Sequence, residues 1–115
     1  AMAAAAATEM AGGSPQQVSE ALALALKNLL GLVCDPVAGL VEVPCVKRNA
    51  VGAVHALLAA DMALAGIKSV IPADEVIDAM YQIGLALPKS LKETADGGLA
   101  QTPTAKQIAA RLQSK

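Results

Sequence analysis

The residues of this sequence with the most distinctive chemistry are two cysteines. Cys34 and Cys45 have ten residues between them and bracket a loop, residues 31–44, that contains two glycines and two prolines. Paired cysteine ligands of a zinc knuckle stand closer, with roughly two to four residues between them. A flexible loop can still fold two thiolates onto one metal centre. Free cysteine is among the most buried residue types, so the spacing alone favours two reduced, partly buried thiols over two ligands.

Basic side chains follow the second cysteine on a predicted helix. Lys47, Arg48 and His55 are the basic residues between Lys27 and Lys68. Arg48 and His55 are seven positions apart, so on a helix they project within about 20° of each other and form one polar stripe. This stripe is either a solvated helix face with a hydrogen-bonded histidine, or a cationic patch that receives a substrate carboxylate or steadies an anionic metal centre.

Two carboxylates lie inside the loop. Asp35 and Glu42 are candidate general bases, but acids in loops are mostly solvated, so solvation is the favoured interpretation. The sequence has no phosphate-binding glycine loop, nucleophile elbow or zinc-protease helix. The residues alone therefore predict a thiol-containing loop without assigning it a reaction.

The composition excludes several classes of partner. Nine basic and ten acidic residues give a formal net charge of −1, without the basic stripe that nucleic acid or anionic lipid requires. Trp and Phe are absent and Tyr81 is the single Tyr, so the chain lacks platforms on which bases stack. The apolar windows 21–40 and 50–60 contain charges or stop short of the roughly 20 apolar residues that span a bilayer. We predict neither a nucleic-acid nor a membrane partner.

The first ten residues, AMAAAAATEM, are unlike a secretory signal. They carry no positive charge and too little apolar bulk. We therefore predict a cytoplasmic protein, in which two cysteines are reduced thiols or ligands rather than a disulfide. Because the chain begins already in helical register, we interpret it as a piece of a longer protein.

Five helices are predicted, and no segment shows the alternation typical of a strand. Ser-Pro and Thr-Pro pairs mark helix starts, and glycines mark several ends. The predicted helices cover residues 1–11, 15–30, 44–65, 72–87 and 103–113. The fold is therefore predicted to be all-α, a single domain over residues 1–115 with five helices around loop 31–44. Leucine and valine are expected to build its core, because the 26 alanines offer little area to bury.

The run CDPVAGLVEVPCVKRNAVGAVHA, residues 34–56, closely resembles the catalytic α domain of the iron-sulfur-dependent L-serine dehydratases, also called L-serine ammonia-lyases. Further segments are similar to the same family: AMAAAAATEMAGG, ALALALKNLLGLVCDP, ADMALAGIKSVIPADEVIDAM and KETADGGLAQTPTA. The resemblance covers essentially the whole chain. It shifts the interpretation of the cysteines from buried thiols to ligands.

The resemblance implies a cofactor and part of its ligand set. Members of the family hold a 4Fe-4S cluster with three cysteines, and Cys34 and Cys45 match two of them. The third would lie upstream of residue 1, so the chain is interpreted as the C-terminal half of the α domain. For Lys47, Arg48, Asn49 and His55 the resemblance implies proximity to the cluster without giving each a role. The base stays unknown.

The resemblance also implies a reaction and partners. An iron without a cysteine ligand polarises the hydroxyl of L-serine, and loss of water gives pyruvate and ammonia without pyridoxal phosphate, a step of amino-acid catabolism and gluconeogenesis. The partners implied are the remainder of the α domain and a β domain or β chain, in a homo- or hetero-oligomer. With two of three ligands, the chain alone is expected to be inactive. The alternative is a non-catalytic helical association module with inert thiols.

Overall fold

The computed structural model describes residues 1–114, most of which are in α-helices. The chain forms five of them: α1 (Met2–Met10), α2 (Pro15–Lys27), α3 (Cys45–Leu64), α4 (Ala73–Ala86) and α5 (Pro103–Gln113). Short 3-10 helices lie between them at Val37–Gly39, Lys89–Leu91 and Gly98–Gln101. The described residues contain no strand, and an isolated bridge joins Cys34 to Lys92. The predicted all-α fold is confirmed, and none of the described helices is long and apolar enough to cross a membrane.

Side-chain caps explain where two helices begin. At the start of α2, Ser14 Oγ accepts the Gln17 N–H at 3.3 Å, and Gln17 Oε1 accepts the Ser14 N–H at 2.9 Å. At the start of α5, Thr102 Oγ1 accepts the Ala105 N–H at 3.4 Å. A proline occupies the first turn in both helices. The Ser-Pro and Thr-Pro pairs predict both starts, and the structure confirms them.

Helix α2 ends at Lys27, earlier than the predicted residue 30. The Asn28 side-chain amide donates to the Leu24 carbonyl at 2.8 Å. Residues 28–31 form a turn that ends at Gly31 with a φ of +75°. Glycine adopts this left-handed conformation without steric cost, so the chain turns there instead of continuing the helix.

The contacts divide the chain into two compact units. Unit 1 contains residues Ala1–Gly31 and Val51–Leu85. Unit 2 contains residues Leu32–Ala50 and the segment from residue 86 onward. That residues 1–115 form a single domain stays a prediction, and each unit is described by itself.

Unit 1 has a core made mainly of alanine. Its buried cluster comprises Ala4, Ala21, Leu24, Ala25, Ala56, Ala59 and Ala63. The expectation that leucine and valine build the core is therefore wrong for this unit, since Val51 and Val54 are 66% and 68% exposed. Methyl side chains allow helices to approach closely. At about 100° per residue, Val51, Val54 and Leu58 of α3 lie on the side opposite its buried alanines.

Charged side chains of α2 hold the connection between α3 and α4. Glu20 Oε2 accepts the Ser69 N–H at 2.6 Å, and Lys27 Nζ donates to the Ser69 carbonyl at 2.8 Å. The Ser69 N–H, a hydrogen bond from Gln16 and the nearby Lys68 together lower the pKa of Glu20. The folded state therefore favours the carboxylate form of Glu20 over the acid form.

We expect Ala59→Leu to lower the free energy of unfolding by about 1–3 kcal/mol, because the added carbons have no room in the alanine core. Ala53→Leu is the matched control, since Ala53 is exposed on the same helix. Alanine and leucine have similar helix propensities, so the control isolates the effect of burial. The control is expected to change stability by less than about 0.5 kcal/mol. Urea unfolding of both variants measures this difference, and equal effects would contradict an alanine core that excludes larger side chains.

We expect Glu20→Gln to lower the melting temperature at pH 7 but not in acid. A lowered folded-state pKa contributes stability that is present above the unfolded-state pKa of about 4.3 and is lost as the pH falls through the folded-state value. Circular dichroism melts of both proteins between pH 7 and pH 3 test this. A melting-temperature difference that stayed constant over that range would show that the charge of Glu20 is not stabilising.

Candidate functional site

The loop between α2 and α3 is closed by a backbone hydrogen bond within unit 2. The Val37 N–H donates to the Val43 carbonyl at 2.9 Å, and the Val43–Pro44 peptide bond is cis. Asp35 and Pro36 are buried together with Val37. The segment that the sequence predicts as irregular therefore has a buried interior.

Cys34 is held by its backbone, and the residue is exposed. Its N–H donates to the Leu91 carbonyl at 3.0 Å, and its carbonyl accepts the Glu93 N–H at 2.9 Å. The thiol is free of any disulfide. The second half of the chain therefore fixes the backbone of Cys34 and leaves the side chain available to a ligand.

Cys45 is the first residue of α3 and is partly buried, with a free thiol. The Glu42 carbonyl accepts the Val46 N–H at 3.1 Å, and the Pro44 carbonyl accepts the Arg48 N–H at 3.0 Å. Helical hydrogen bonding thus begins inside the loop. Cys45 is consequently attached to a rigid helical turn, whereas Cys34 lies outside any helix and forms an isolated bridge with Lys92.

The charged pair of unit 2 joins the loop to α3. Asp35 is 1% exposed, and its Oδ1 lies 2.8 Å from Arg48 Nη1. Its Oδ2 accepts the Leu99 N–H at 2.6 Å. Arg48 Nη1 also donates to the Val33 carbonyl at 2.9 Å. Both carboxylate oxygens of Asp35 are therefore hydrogen-bonded, as a buried carboxylate requires.

Burial raises the pKa of Asp35, but the Leu99 N–H and the Arg48 guanidinium lower it by more, so its pKa lies below the ordinary value. The interpretation of Asp35 as a solvated loop acid is wrong, because the side chain is buried and paired. Glu42, the other loop carboxylate, is exposed as that interpretation expects. A buried carboxylate already bound by two donors is a poor general base, so the structure favours a structural role for Asp35.

Gly98 packs directly against the Asp35 side chain. A Cβ at this position would lie 2.9 Å from both Cβ and Cγ of Asp35, closer than real Cβ contacts. Gly98 also has a φ of +56°, in the left-handed region that favours glycine. The glycine therefore lets the backbone come close enough for the Leu99 N–H to reach the carboxylate.

The candidate residues after Cys45 do not share one side of α3. At about 100° per residue, Lys47 lies about 160° around the helix from Cys45, whereas Asn49 lies about 40° and Arg48 about 60° away. Lys47 and Asn49 are exposed, and Arg48 is partly buried against the loop. The helix geometry therefore places Arg48 and Asn49 on the side of Cys45 and Lys47 on the far side.

His55 belongs to unit 1, where its Nε2 lies 2.9 Å from the Ala25 carbonyl oxygen. A carbonyl only accepts, so Nε2 carries the proton in this contact. The hydrogen-bonded histidine, one of the two interpretations open from the sequence, describes this geometry. Arg48 is likewise bound by the loop, so both members of the predicted stripe have hydrogen-bond partners.

The donor set of unit 2 fits an iron-sulfur group in type but not in number. Thiolates are the ligands that hold iron-sulfur clusters, and Cys34 and Cys45 supply two. Among residues 1–114, no three Cys, His, Asp or Glu side chains are arranged to hold a metal ion. A cluster bound here would need a further ligand from outside these residues.

Sequence reasoning missed the part that the second half of the chain plays at this site. Gly97, Gly98 and residues 89–94 lie between the predicted fourth and fifth helices, where the sequence suggested no functional residue. Both segments contact the cysteine loop, through the Leu99 N–H and through the backbone of Leu91 and Glu93. The paired glycines were the one available signal, since adjacent glycines permit a close backbone approach.

Comparisons with known proteins agree on one family. The family model for the serine dehydratase alpha chain matches residues 1–100. The probable L-serine dehydratase alpha chain of Bacillus subtilis (strain 168) is 68% identical over 111 residues, which cover 96% of this chain and 37% of that protein. The probable L-serine dehydratase alpha chain of Latilactobacillus sakei is 68% identical over 113 residues, covering 98% of this chain and 53% of that protein.

A more distant relative shows the same pattern of coverage. The L-serine dehydratase alpha chain of Peptoniphilus asaccharolyticus is 50% identical over 108 residues, covering 94% of this chain and 37% of that protein. The chain thus spans between about a third and a half of the length of these relatives. The matched residues include both cysteines, Asp35, Arg48 and Gly98.

We expect Gly98→Ala to destabilise the protein by more than Gly39→Ala. Both glycines have a positive φ, but a Cβ at Gly39 would meet nothing within 4 Å, whereas one at Gly98 would overlap Asp35. The control should cost about 1–3 kcal/mol from backbone strain alone. Denaturant unfolding of the two variants compares them, and an equal loss would mean that contact with Asp35 adds nothing.

Proposed function

Since this chain belongs to the family of serine dehydratase alpha chains, we propose that it forms part of an enzyme that converts L-serine to pyruvate and ammonia. We infer further that Cys34 and Cys45 are two of the thiolates that hold its iron. The observation that carries the proposal is the family match through the loop in which both free cysteines lie. Two free thiols in one compact unit are consistent with a shared metal centre.

The cofactor proposed is a 4Fe-4S cluster, and no pyridoxal phosphate is invoked. When bound, the cluster would supply a Lewis-acidic iron that polarises the hydroxyl of the substrate. Cys34 would contribute its thiolate from the loop before α3 and Cys45 from the first turn of α3. The third cysteine ligand would come from outside these 115 residues, together with the rest of the α domain.

The remaining candidates divide between structural and substrate-facing roles. Arg48 Nη1 already binds Asp35 and the Val33 carbonyl, so this nitrogen holds the loop. Asn49 is exposed on the Cys45 side of α3, where an amide could hydrogen-bond the substrate carboxylate or amino group. Lys47 is exposed on the far side, which disfavours contact with a group held by Cys45. No residue of this chain is assigned as the base.

The exposed apolar side chains of unit 1 favour the second candidate function, a non-catalytic association module. On α3, Val51, Val54 and Leu57 are exposed, and on α4, Tyr81 and Leu85 are exposed. Apolar surface on this scale is typical of regions that another protein segment covers. In the enzyme, the remainder of the α domain and a β domain or chain would cover this apolar surface. The exposed surface therefore fits both functions, and the role of the cysteines distinguishes them.

Anaerobic reconstitution with iron and sulfide tests the ligand assignment directly. We expect this chain to take up no stable cluster, and a version extended upstream through the next cysteine to gain iron and visible charge-transfer absorption. Cys34→Ser and Cys45→Ser in the extended version should each abolish both signals. If neither version takes up iron, the assignment of these cysteines as ligands is wrong.

Activity of the complete enzyme separates the two functions. Each serine variant should lower the rate of pyruvate formation from L-serine by more than about 100-fold, because loss of a ligand should exceed the effect of losing an outer-shell partner. Substitution of both cysteines with full retention of activity would favour the association module. The chain alone should form no pyruvate, and formation of pyruvate by the reconstituted chain would contradict its predicted inactivity.

A further inference from the structure

The side chain of Arg48 binds on both sides of Cys34. Its Nη1 donates to the carbonyl of Val33, the residue before the cysteine, and to Oδ1 of Asp35, the residue after it. Arg48 lies in α3 three residues after Cys45, within one helical turn. One guanidinium thus connects the helical turn that carries one cysteine to the two neighbours of the other.

We propose that Asp35 and Arg48 form a clamp that positions Cys34 relative to Cys45 and thereby determines how firmly the iron is held. This inference rests on the proposed function, since it concerns the same two thiols. Neither residue needs to touch the substrate or the iron, so both are positioning residues. The clamp is defined as the Asp35–Arg48 pair with its hydrogen bonds to Val33 and Leu99.

The clamp shortens the connection between the cysteines. Along the backbone ten residues of loop separate them, and the Val37–Val43 hydrogen bond closes that loop without joining either cysteine to the other. Through the clamp, Cys34 is one residue from Asp35, and Arg48 is one helical turn from Cys45. The pair therefore adds a second and shorter connection between the two cysteines, and ligands held in place before binding lose less conformational entropy.

A separate contact anchors the clamp to the rest of unit 2. The second carboxylate oxygen of Asp35 accepts the Leu99 N–H, and Gly98 leaves no space beside the side chain. The backbone of Cys34 is itself bound to Leu91 and Glu93. We therefore expect Asp35 to stay bound to Leu99 when the guanidinium is removed, so that α3 is released from the loop.

The complete enzyme with bound iron is the material for the test, with four variants. Arg48→Met removes the charge and the donors, and Arg48→Lys keeps the charge on a shorter chain. Asp35→Asn removes the carboxylate, while its amide can still accept one hydrogen bond. Arg111→Met is the matched control, because Arg111 lies exposed in the last turn of α5. The two measurements are the rate of iron loss to a chelator and the steady-state kinetics per bound iron.

The Arg48→Met variant should lose iron about 10–100-fold faster than the wild type, in the range seen when outer-shell partners of a metal ligand are removed. Arg48→Lys should lose iron at an intermediate rate, and Arg111→Met at the wild-type rate. Asp35→Asn should also lose iron faster than the wild type. The KM for L-serine and the turnover per bound iron should change by less than about threefold, because a positioning role requires no contact between the clamp and the substrate.

Three results would overturn the clamp. Iron loss at the control rate in both Arg48 variants would show that the pair does not position the ligands. A raised KM with unchanged iron retention would make Arg48 a substrate-binding residue. A lowered melting temperature with unchanged iron retention would leave the pair a purely structural role, and Arg48→Lys supplies this comparison if Arg48→Met does not fold. Wild-type enzyme without iron would instead contradict the proposed function itself.

Discussion

The burial of Asp35 is the constraint on which the structure of loop 31–44 depends. A buried carboxylate is costly unless both oxygens are satisfied, and here Arg48 and the Leu99 N–H satisfy them. These two donors come from segments far apart in the sequence, one in α3 and one beside Gly98. Because the carboxylate requires both, it brings three segments of unit 2 together around Cys34.

This arrangement explains why two charged residues near the cysteines, Asp35 and Arg48, are not available as a base and a free cation. Arg48 and Asp35 look in sequence like a cationic group and a base, but each is the partner of the other. Arg48 binds the backbone carbonyl of Val33, and Asp35 binds the backbone N–H of Leu99. The two thiols form no disulfide and are free to bind a ligand. The proposed iron-sulfur centre requires thiolate ligands that are held in place, and hydrogen bonds around metal ligands orient them.

Unit 1 obeys a different constraint, which is close helix packing. Alanine faces of α1, α2 and α3 meet in its core, and the larger apolar side chains of α3 and α4 remain exposed. A helix that is apolar on all sides is normally buried on all sides. The exposed valines and leucines therefore support the proposal that further protein segments cover this unit in the enzyme.

The sequence by itself determined the number of helices and most of their ends, because caps, prolines and glycines act locally. It also determined the family, because the motif that contains both cysteines is contiguous. It did not determine which apolar face of α3 is buried, since alanine and valine faces both satisfy helical periodicity and only packing distance separates them. Nor did it determine the partners of Asp35 and Arg48. The tertiary structure decided these, because Leu99 lies 64 positions from Asp35 and its donor is a backbone N–H that no side-chain pattern reveals.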